Sequence, residues 1–354
     1  MQKIEIKASK SYDVLIGNGL LEKSGEHIRD AIKGARTIAL ISDENVAAFY
    51  APTVKTSLKR AGFRVIEYTF PSGERSKSAQ VFIDLLEFLA KNELTRSDAL
   101  AALGGGVAGD LVGFAASAYL RGVDFVQIPT TLLAAVDSSV GGKTAINLKA
   151  GKNLAGAFYQ PSLVLCSTDT LGTLPEIEFK AGLCECIKCA VIKDKELFQV
   201  FLSGDCKNDL ENMIRACVEI KGQVVLEDEF DRGERQKLNF GHSAAHAIEI
   251  LSDFEINHGL AVGMGMVVEA KGAAALGICD KSVADDIEAA LTAHGIDFAC
   301  PFSAAELYEH TLFDKKRSGE SINLILPTEI GNAVIYKMKT DDILPFYKSA
   351  LGEK

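Results

Sequence analysis

The order of strand-like and helix-like segments is the feature that most constrains how this chain can fold. Seven short β-rich runs in the first half alternate with amphipathic stretches such as residues 81–92, whose apolar positions recur with the helical period. The runs are IEIKA, DVLIG, TIALIS, RVIEYTF, DALAALGGG, DFVQIP and LVLC, the last at residues 163–166. Strands that alternate with helices predict a mostly parallel sheet covered by helices on both faces.

The second half has a different pattern, in which long helical segments follow one another. The segments are 176–193, 207–226, 240–252, 258–277 and 282–294, and only INLILP (322–327) and AVIYKM (333–338) have strand character. A chain of 354 residues also exceeds the size at which a single core stops growing. We therefore expect an α/β domain over residues 1–170 and a mainly α-helical domain over 171–354, with the boundary in the turn-rich stretch STDTLGTLPE.

The charge balance excludes some classes of partner. A formal net charge of −10 and an isoelectric point near 5.2 argue against binding to nucleic acid or to an anionic membrane. The N-terminal residues alternate as a strand does, and no uncharged run is long enough to cross a bilayer, so we expect a cytoplasmic protein. Any anion that binds must be held by a local cluster of cations.

The cysteines have no framework spacing. Eight of them are scattered along a long chain, which suits reduced thiols better than disulfides. Cys184, Cys186 and Cys189 could suggest a metal or iron–sulfur site, but three thiols on one continuous helix point in different directions. This favours core packing for these side chains.

A glycine-rich turn leads from a predicted strand directly into a helix. In ALGGGVAGD, Gly104, Gly106 and Gly109 match G-x-G-x-x-G, and backbone N–H groups at such a helix start can hold a pyrophosphate. The alternative is a tight turn that binds no ligand. The motif predicts a Rossmann-like nucleotide-binding domain, although the best acid at a strand end, Asp43, comes earlier in the chain than in the ordinary dinucleotide fingerprint.

Two charged residues interrupt an otherwise apolar helix. In AGLCECIKCAVI (181–192), Glu185 and Lys188 project from one side, and the residues that share this side offer neither of them a polar partner. A buried Glu–Lys ion pair is the alternative, and we disfavour it because removing two ions from water costs several kcal/mol each. We expect a group outside the helix to interact with both side chains.

Histidines cluster in a later helix. In NFGHSAAHAIEIL, His242, His246 and Glu249 lie along one side, and His258 follows shortly. Taken alone, these residues could form a solvated polar face. Two imidazoles and a carboxylate are also a common catalytic zinc set that leaves one position open for substrate.

These motifs together resemble the 3-dehydroquinate synthases, a family of sugar-phosphate cyclases. The likeness rests on residues 120–161, PSGERSK (71–77), AGLCECIKCAVI, RQKLNFGHSAAHAIE (235–249), the HG of INHGLAVGMGM, and DKK (314–316). It implies that Glu185, His242 and His258 bind one divalent metal ion, zinc or cobalt. Lys188 is then expected to face bound substrate.

The resemblance also implies where an anionic sugar phosphate binds. Lys221 and Arg235 are expected to hold the substrate carboxylate, with arginine suited to bidentate recognition. Its phosphate is expected to contact Asn153, His246, a lysine of DKK (Lys316, with Lys315 close behind) and Arg121 of the partner subunit in a homodimer. Asp137, Lys143, Lys188 and Asn239, with His246, are the implied catalytic residues. For each cation taken singly, the sequence favours a solvated surface charge.

The implied cofactor is NAD. Asp43 is expected at the adenosine ribose, the SGERSK loop beside it, and the glycine turn at the pyrophosphate, with the cofactor lying between the two domains. The full set of expected contacts is Asp43, Asn45, Ser72, Gly73, Glu74, Arg75, Ser76, Lys77, Gly106, Val107, Ala108, Gly109, Asp110, Thr130, Thr131, Lys143, Lys152, Thr170, Leu171, Gly172 and Thr173.

The implied reaction converts 3-deoxy-arabino-heptulosonate 7-phosphate to 3-dehydroquinate and phosphate in the shikimate pathway, a lyase reaction. It comprises transient oxidation, phosphate elimination, reduction, ring opening and aldol closure, so NAD is regenerated in each cycle. Two positions depart from the family pattern: Leu260 stands where a carboxylate is common, and Ala245 replaces a glycine. The first change could remove a second partner of His258 or Glu185 and weaken metal binding.

Three other functions remain open at this point. One is another sugar-phosphate cyclase, such as a 2-deoxy-scyllo-inosose synthase, although the residues expected at a substrate carboxylate disfavour it. Another is a metal-dependent polyol dehydrogenase, which would release NADH. The third is a nucleotide-binding protein that has lost catalysis through the change at Leu260.

Overall fold

The computed structural model describes residues 1–313 and 320–353 of the chain. They form two compact units, one of Met1–Leu174 with Lys221–Glu229 and one of Pro175–Ile220 with Phe230–Lys354. The boundary expected at residue 170 falls inside the turn Thr168–Thr173, just before this division. The return of residues 221–229 to the first unit is a feature that the sequence pattern did not indicate.

The first unit is built on a seven-stranded sheet, as the alternating pattern predicts. Every neighbouring pair is parallel except the edge pair β1–β2. Each strand corresponds to one of the β-rich runs of the sequence. In spatial order the strands are β1 (Gln2–Ile6), β2 (Tyr12–Gly17), β9 (Leu163–Ser167), β6 (Asp124–Pro129), β5 (Ala99–Gly104), β3 (Thr37–Asp43) and β4 (Arg64–Phe70).

Helices cover both faces of this sheet because its central strands are apolar on both sides. Leu40 of β3 packs into one core with Ile28 and Leu58, whereas its neighbour Ile41 packs into the other with Leu85 and Leu111. The helices of the first core are α1 (Ser24–Ala31) and α2 (Glu44–Arg60), and those of the second are α3 (Ala79–Lys91) and α4 (Gly106–Ala118). The prediction of a Rossmann-like α/β domain is therefore confirmed.

One β-hairpin of the first unit was not predicted. Its strands are β7 (Lys143–Leu148) and β8 (Gly151–Phe158), which pair antiparallel and outside the main sheet. Their sequence, KTAINLKAGKNLAGAF, mixes charged, small and apolar residues without the strict alternation that identifies a half-buried strand. The hairpin carries three of the predicted site residues, Lys143, Lys152 and Asn153.

The second unit is mainly helical, as expected. Its two strands, β10 (Ser321–Glu329) and β11 (Asn332–Lys339), form an antiparallel pair. The helices are α5 (Glu176–Lys193), α6 (Lys195–Ser203), α7 (Leu210–Glu227, whose last residues belong to the first unit), α8 (His242–Leu251), α9 (His258–Ala275), α10 (Lys281–Ala293), α11 (Ala304–Phe313) and α12 (Thr340–Leu351). The sequence pattern did not single out α6, α11 or α12.

Helices α5 and α9 form the centre of this unit and approach each other very closely. Both are buried on all sides over most of their length. A Cβ placed on Gly259 would lie only 2.1 Å from the carbonyl oxygen of Ala181, so the contact requires a residue without a side chain. Within the described ranges, no helix combines the length and the apolar character needed to cross a membrane.

Candidate metal centre and nucleotide-binding residues

Three potential metal ligands meet in the helical unit. Glu185 Oε1 lies 3.6 Å from His258 Nε2 and 3.9 Å from His242 Nε2. Each residue can offer one ligand atom, and these atoms lie within 4.8 Å of one another. Among the described residues, no other group of three or more acidic, histidine or cysteine side chains meets this condition.

The fold orients both imidazoles toward Glu185 through their other ring nitrogen. His242, the first residue of α8, donates Nδ1–H to the backbone carbonyl of Phe240 at 3.2 Å. His258, the first residue of α9, donates Nδ1–H to the Glu249 carboxylate at 3.1 Å. With Nδ1 protonated in this way, the lone pair of each ring resides on Nε2, the atom that faces Glu185.

The two imidazoles have different electrostatic surroundings. Burial and the nearby charge of Lys188 hold the pKa of His242 well below its usual value, so this ring is neutral. Burial alone would also lower the pKa of His258, but the hydrogen bond to Glu249 and the charges of Glu249 and Glu185 outweigh it and raise this pKa. A neutral imidazole is the form that binds a metal ion.

Glu185 and Lys188 do contact each other, contrary to the expectation from the sequence. Lys188 Nζ donates to Glu185 Oε2 in a buried ion pair, with both side chains at most 2% exposed. The second oxygen, Oε1, is buried and has no hydrogen-bond partner, and it is the atom that faces the two imidazoles. The ion pair therefore satisfies only half of the carboxylate.

This arrangement fits a divalent metal ion. Ligand atoms around a tetrahedral zinc ion lie about 3.3 Å apart, close to the separations within the triad. A buried carboxylate oxygen without a hydrogen bond is costly, and a cation at that position would compensate it. The donor set of two imidazole nitrogens and one carboxylate oxygen also suits zinc or cobalt.

The other two polar residues on the histidine side of α8, His246 and Glu249, differ in their exposure to solvent. His246 is exposed, and its ring centroid lies 5.7 Å from that of His242 and 6.3 Å from that of His258. Glu249 on the same side is only 4% exposed. A fully solvated polar face is therefore wrong for this helix, although it describes His246.

In the α/β unit, the glycine turn lies where the motif predicts. Gly106, Val107, Ala108, Gly109 and Asp110 form the first turn of α4, directly after β5. A Cβ on Gly106 would lie 3.2 Å from the Ser138 hydroxyl, a tight contact that glycine avoids. The backbone N–H groups of this first turn of α4 are of the kind that binds a pyrophosphate at a helix start.

Asp43 ends β3 and begins α2. One carboxylate oxygen accepts hydrogen bonds from the backbone N–H groups of Asn45 and Val46, both at 3.0 Å, as an N-cap does. Thr130 and Thr131 follow β6, and the Thr130 hydroxyl is buried without a hydrogen-bond partner. These residues all lie after the carboxyl ends of parallel strands, where ligands of open α/β sheets bind.

The SGERSK loop contacts the glycine helix through a buried lysine. Lys77 Nζ lies 2.5 Å from Asp110 Oδ2 and 2.5 Å from Asn153 Oδ1, and the Lys77 side chain is only 6% exposed. Burial raises the pKa of Asp110, and the charge of Lys77 partly opposes this. The other predicted members of the loop are more open: Ser72, Gly73, Glu74 and Arg75 are exposed, whereas Ser76 is buried.

The remaining nucleotide candidates lie at two places in the same unit. Lys143 begins β7 and Lys152 lies near the start of β8. Thr170, Leu171, Gly172 and Thr173 form the last part of a 3₁₀ helix after β9. Here Tyr50 of α2, a residue that the sequence did not single out, contacts the Thr173 hydroxyl and donates to the Thr170 carbonyl at 3.2 Å.

Among the predicted substrate residues, Lys221 and Asp137 are in direct contact. Lys221 Nζ lies 2.5 Å from the Asp137 carboxylate and 2.6 Å from its carbonyl oxygen. In the helical unit, Arg235 and Asn239 belong to the turn Glu234–Asn239 that precedes α8, and Arg235 is buried. Arg121 is exposed and has a positive φ of 67°. Lys315 and Lys316 lie outside the described residues.

The cysteines behave as the core-packing interpretation predicts. Cys184, Cys186 and Cys189 of α5 are buried, and none of them forms a disulfide. Burial raises the pKa of the Cys184 and Cys186 thiols, which keeps both of them protonated.

Two contacts, one beside the candidate metal ligands and one among the predicted nucleotide residues, could not be predicted from the sequence. The Glu249–His258 hydrogen bond links the end of one helix to the start of the next, and the only signal for it was the place of Glu249 on the histidine side of α8. The Lys77–Asp110 pair joins residues of two separate motifs. Neither spacing corresponds to a local pattern that predicts contact.

Comparison with protein families and sequences identifies close relatives. Residues 67–181 match the model of the 3-dehydroquinate synthase N-terminal domain, and residues 182–317 match that of the C-terminal domain. A 3-dehydroquinate synthase of Streptococcus suis is 41% identical over 95% of this chain and 96% of its own length. One of Caulobacter vibrioides is 42% identical over 93% of this chain and 92% of its own length.

Solved structures share the same fold. A 2-deoxy-scyllo-inosose synthase complexed with carbaglucose-6-phosphate, NAD⁺ and Co²⁺ has a TM-score of 0.89 and 26% identity, over 99% of both chains. A glycerol dehydrogenase from Schizosaccharomyces pombe has a TM-score of 0.69 and 15% identity over 99% of this chain and 91% of its own, which shows the fold alone. The near-complete coverage by relatives about two-fifths identical is decisive: this chain belongs to the 3-dehydroquinate synthase family.

Proposed function

We propose that this protein is a 3-dehydroquinate synthase that uses NAD and one divalent metal ion. It converts 3-deoxy-arabino-heptulosonate 7-phosphate to 3-dehydroquinate and phosphate, a carbon–oxygen lyase reaction of the shikimate pathway. The observation that carries the proposal is the convergence of Glu185 Oε1 with the Nε2 atoms of His242 and His258. A divalent cation at this position would interact with the buried carboxylate oxygen and with both imidazole lone pairs.

Glu185, His242 and His258 would hold the ion, which we propose to be zinc or cobalt. When bound, the ion lowers the pKa of the substrate hydroxyl that it contacts. Lys188 adds a fixed positive charge beside the same carboxylate, and Asn239 follows Arg235 in the turn before α8. These groups are placed by packed helices, so they can balance developing negative charge without rearranging.

The α/β unit would bind NAD, which accepts a hydride and later returns it. The start of α4 supplies backbone N–H groups for the pyrophosphate, and the carboxylate of Asp43 supplies an acceptor for a ribose hydroxyl. Lys77, Thr130 and the turn Thr168–Thr173 complete the proposed contacts. The unfilled hydrogen-bonding capacity of the Thr130 hydroxyl supports its inclusion.

The basic residues assigned to the substrate suit a sugar that carries both a carboxylate and a phosphate. Lys221 and Arg235 are both buried basic residues, and the planar guanidinium of an arginine can hold a carboxylate through two parallel hydrogen bonds. We propose that they hold the carboxylate. Asn153, His246, the partner subunit's Arg121 and a lysine at 315 or 316 would hold the phosphate, and Asp137 and Lys143 the ring hydroxyls.

Sequence identity favours this substrate over that of the nearest rival. The chain is 41% identical to a 3-dehydroquinate synthase but only 26% identical to a 2-deoxy-scyllo-inosose synthase of the same fold. Glycerol dehydrogenases share the fold at 15% identity or less, which is no evidence for their activity.

We also propose a cytoplasmic homodimer. None of the eight cysteines, all of which lie in the described ranges, forms a disulfide, which suits a reducing compartment. Arg121 stands exposed on a turn with positive φ, where it can reach a second copy. Light scattering of the purified protein would measure the mass directly, and a monomer at micromolar concentration would refute the dimer.

Phosphate release from the heptulosonate phosphate tests the function. We expect turnover that requires both NAD⁺ and a divalent metal, each omitted in turn, with no net rise in NADH absorbance. A steady accumulation of NADH with a polyol would instead identify a dehydrogenase. Tight NAD binding without phosphate release, in the presence of metal, would identify a protein that has lost catalysis.

A further inference from the structure

Glu249 is a buried carboxylate next to the candidate metal centre that the proposed reaction does not use. It lies in the last turn of α8 and is 4% exposed. Its Oε2 atom is 3.1 Å from His258 Nδ1, and the opposite nitrogen of the same ring, Nε2, faces Glu185. His258 is therefore held between two buried carboxylates that lie on different helices.

The two histidines of the triad are anchored by groups of different charge. The Nδ1–H of His242 donates to a neutral backbone carbonyl, that of Phe240. The Nδ1–H of His258 donates to an ionisable carboxylate instead. A carboxylate acceptor polarises the ring more strongly and makes Nε2 a better electron donor to a cation.

The position of Glu249 follows from the geometry of α8. His242 and Glu249 are seven residues apart, which is two helical turns, so both side chains leave the helix on the same side. Helix α8 thus provides a candidate ligand at one end and the carboxylate for His258 at the other. The side chain of Leu260 on α9 cannot take this place, because it is apolar and accepts no hydrogen bond.

From these contacts we propose that Glu249 is a positioning residue for the divalent ion. It fixes the tautomer of His258 and the rotation of its ring, so that Nε2 is presented next to Glu185 Oε1. This rests on the proposed function only in taking Glu185, His242 and His258 as the ligands. Glu249 thus gives His258 a carboxylate partner in a chain that has Leu260 where a carboxylate is common.

Metal affinity of the Glu249→Gln variant tests the proposal. Glutamine preserves the shape of the side chain and can still accept a hydrogen bond, but it removes the charge. We expect Co²⁺ to bind about 10- to 100-fold more weakly, measured by competition with a chromophoric chelator. The visible absorption spectrum of the bound Co²⁺ should also change, because one ligand nitrogen becomes a weaker donor.

Glu255→Gln is the matched control, since Glu255 is an exposed carboxylate six residues further along the chain. It should bind Co²⁺ as the unaltered protein does. Thermal unfolding without metal shows whether Glu249→Gln is folded. If it is not, Glu249→Asp, which keeps the charge but draws the carboxylate back by about 1.5 Å, should show weaker Co²⁺ binding and the altered spectrum.

The outcomes separate this proposal from the proposed function. Unchanged affinity and spectrum in a folded Glu249 variant would overturn the role of Glu249 and leave the metal centre intact. Equal weakening in Glu255→Gln would also overturn it, because the effect would then be one of general charge. Failure of the unaltered protein to bind Co²⁺ would refute the metal centre itself, and the positioning role with it.

Discussion

In the α/β unit, the predicted nucleotide residues lie on loops and first helical turns that follow parallel strands, as Asp43 and Gly106 do. In the helical unit, the candidate metal ligands are helix residues, with Glu185 in the middle of α5 and the two histidines at the starts of α8 and α9. A site on strand ends requires mainly that the sheet keeps its register. A site made of helix side chains also requires fixed distances and rotations between helices, so the helical unit should be the more sensitive to change.

Replacing Glu185 by glutamine should produce the largest effect. The variant loses the only charged oxygen of the triad, so we expect phosphate release to fall by about 10³-fold or more. It also removes the anion from buried Lys188, which should lower the free energy of unfolding by about 3–5 kcal/mol. Phosphate-release assays and urea denaturation measure the two effects.

The control for Glu185→Gln is Glu176→Gln, in the first turn of the same helix. The Glu176 side chain is 72% exposed and forms a surface ion pair with Lys180, so neither measurement should change appreciably. Near-normal phosphate release in Glu185→Gln would mean that the helical unit does not supply the cation centre. The contrast between the two units would then fail.

Gly259→Ala tests whether the close approach of two helices holds the centre together. The added Cβ would lie 2.1 Å from the Ala181 carbonyl oxygen, so α9 and α5 must separate. We expect a loss of about 1–3 kcal/mol in the free energy of unfolding and weaker Co²⁺ binding. In Gly34→Ala, where a Cβ would meet no atom within 4 Å, both quantities should be unchanged.

Asp98→Asn tests how the α/β unit depends on a buried charge that lies away from its predicted site. The Asp98 carboxylate accepts hydrogen bonds from the backbone N–H groups of Thr37 (2.7 Å) and Thr95 (2.9 Å). Burial raises its pKa, but these hydrogen bonds and those from the Thr95 hydroxyl and Arg36 prevail and lower it. We expect the substitution to cost about 1–3 kcal/mol at neutral pH.

The pH dependence of Asp98→Asn has a definite sign. Because the folded-state pKa lies below the unfolded value of 3.8, the carboxylate stabilises the fold fully at neutral pH. The stabilisation is lost as the pH falls below about 4 and through the folded-state pKa. Urea denaturation at pH 7, 4 and 3 should therefore show a shrinking difference between the two proteins, whereas exposed Asp30→Asn should show none. A difference that grows toward low pH would contradict this.

Substitutions at Asp43 should have the smallest effects, and they should distinguish NAD⁺ binding from stability. Asp43→Asn keeps a good N-cap for α2, so stability should hold while NAD⁺ affinity falls by about tenfold, because a charged hydrogen-bond acceptor for the ribose is lost. Asp43→Ala should lose the same affinity and also about 1 kcal/mol of stability. Isothermal titration and urea denaturation separate the two contributions. Equal NAD⁺ affinity in all three proteins would remove Asp43 from the proposed site.

The sheet strands and the main helices of the second half were predictable because their apolar patterns are local. TIALIS and RVIEYTF became β3 and β4, and the segment 176–193 became α5 with the same limits. The hairpin β7–β8 was not predictable, because few of its residues are buried and its sequence lacks a strict alternation of apolar and polar residues. Residues 221–229, which include the end of α7, belong to the α/β unit. This assignment depends on tertiary contacts, for which the sequence has no local signal.

The metal ligands were predicted from the resemblance to a known family, because the histidine pattern alone also suits a solvated polar face. The structure brings Glu185, His242 and His258 together. The Glu185–Lys188 ion pair differs from the prediction because the two oxygens of Glu185 face different groups: one contacts Lys188 and the other faces the imidazoles. Contacts such as Lys221 with Asp137 join residues 84 apart in the sequence, so only the folded chain reveals them.

The shared carboxylate of Glu185 has one more consequence. Lys188 holds one oxygen while the other faces the imidazoles, so an arriving divalent cation and the ammonium group repel each other across a single COO⁻ group. The same ammonium already acts on the neighbouring ring of His242. Such repulsion opposes metal binding, so the affinity of this centre for the ion should be lower than it would be without the ammonium group.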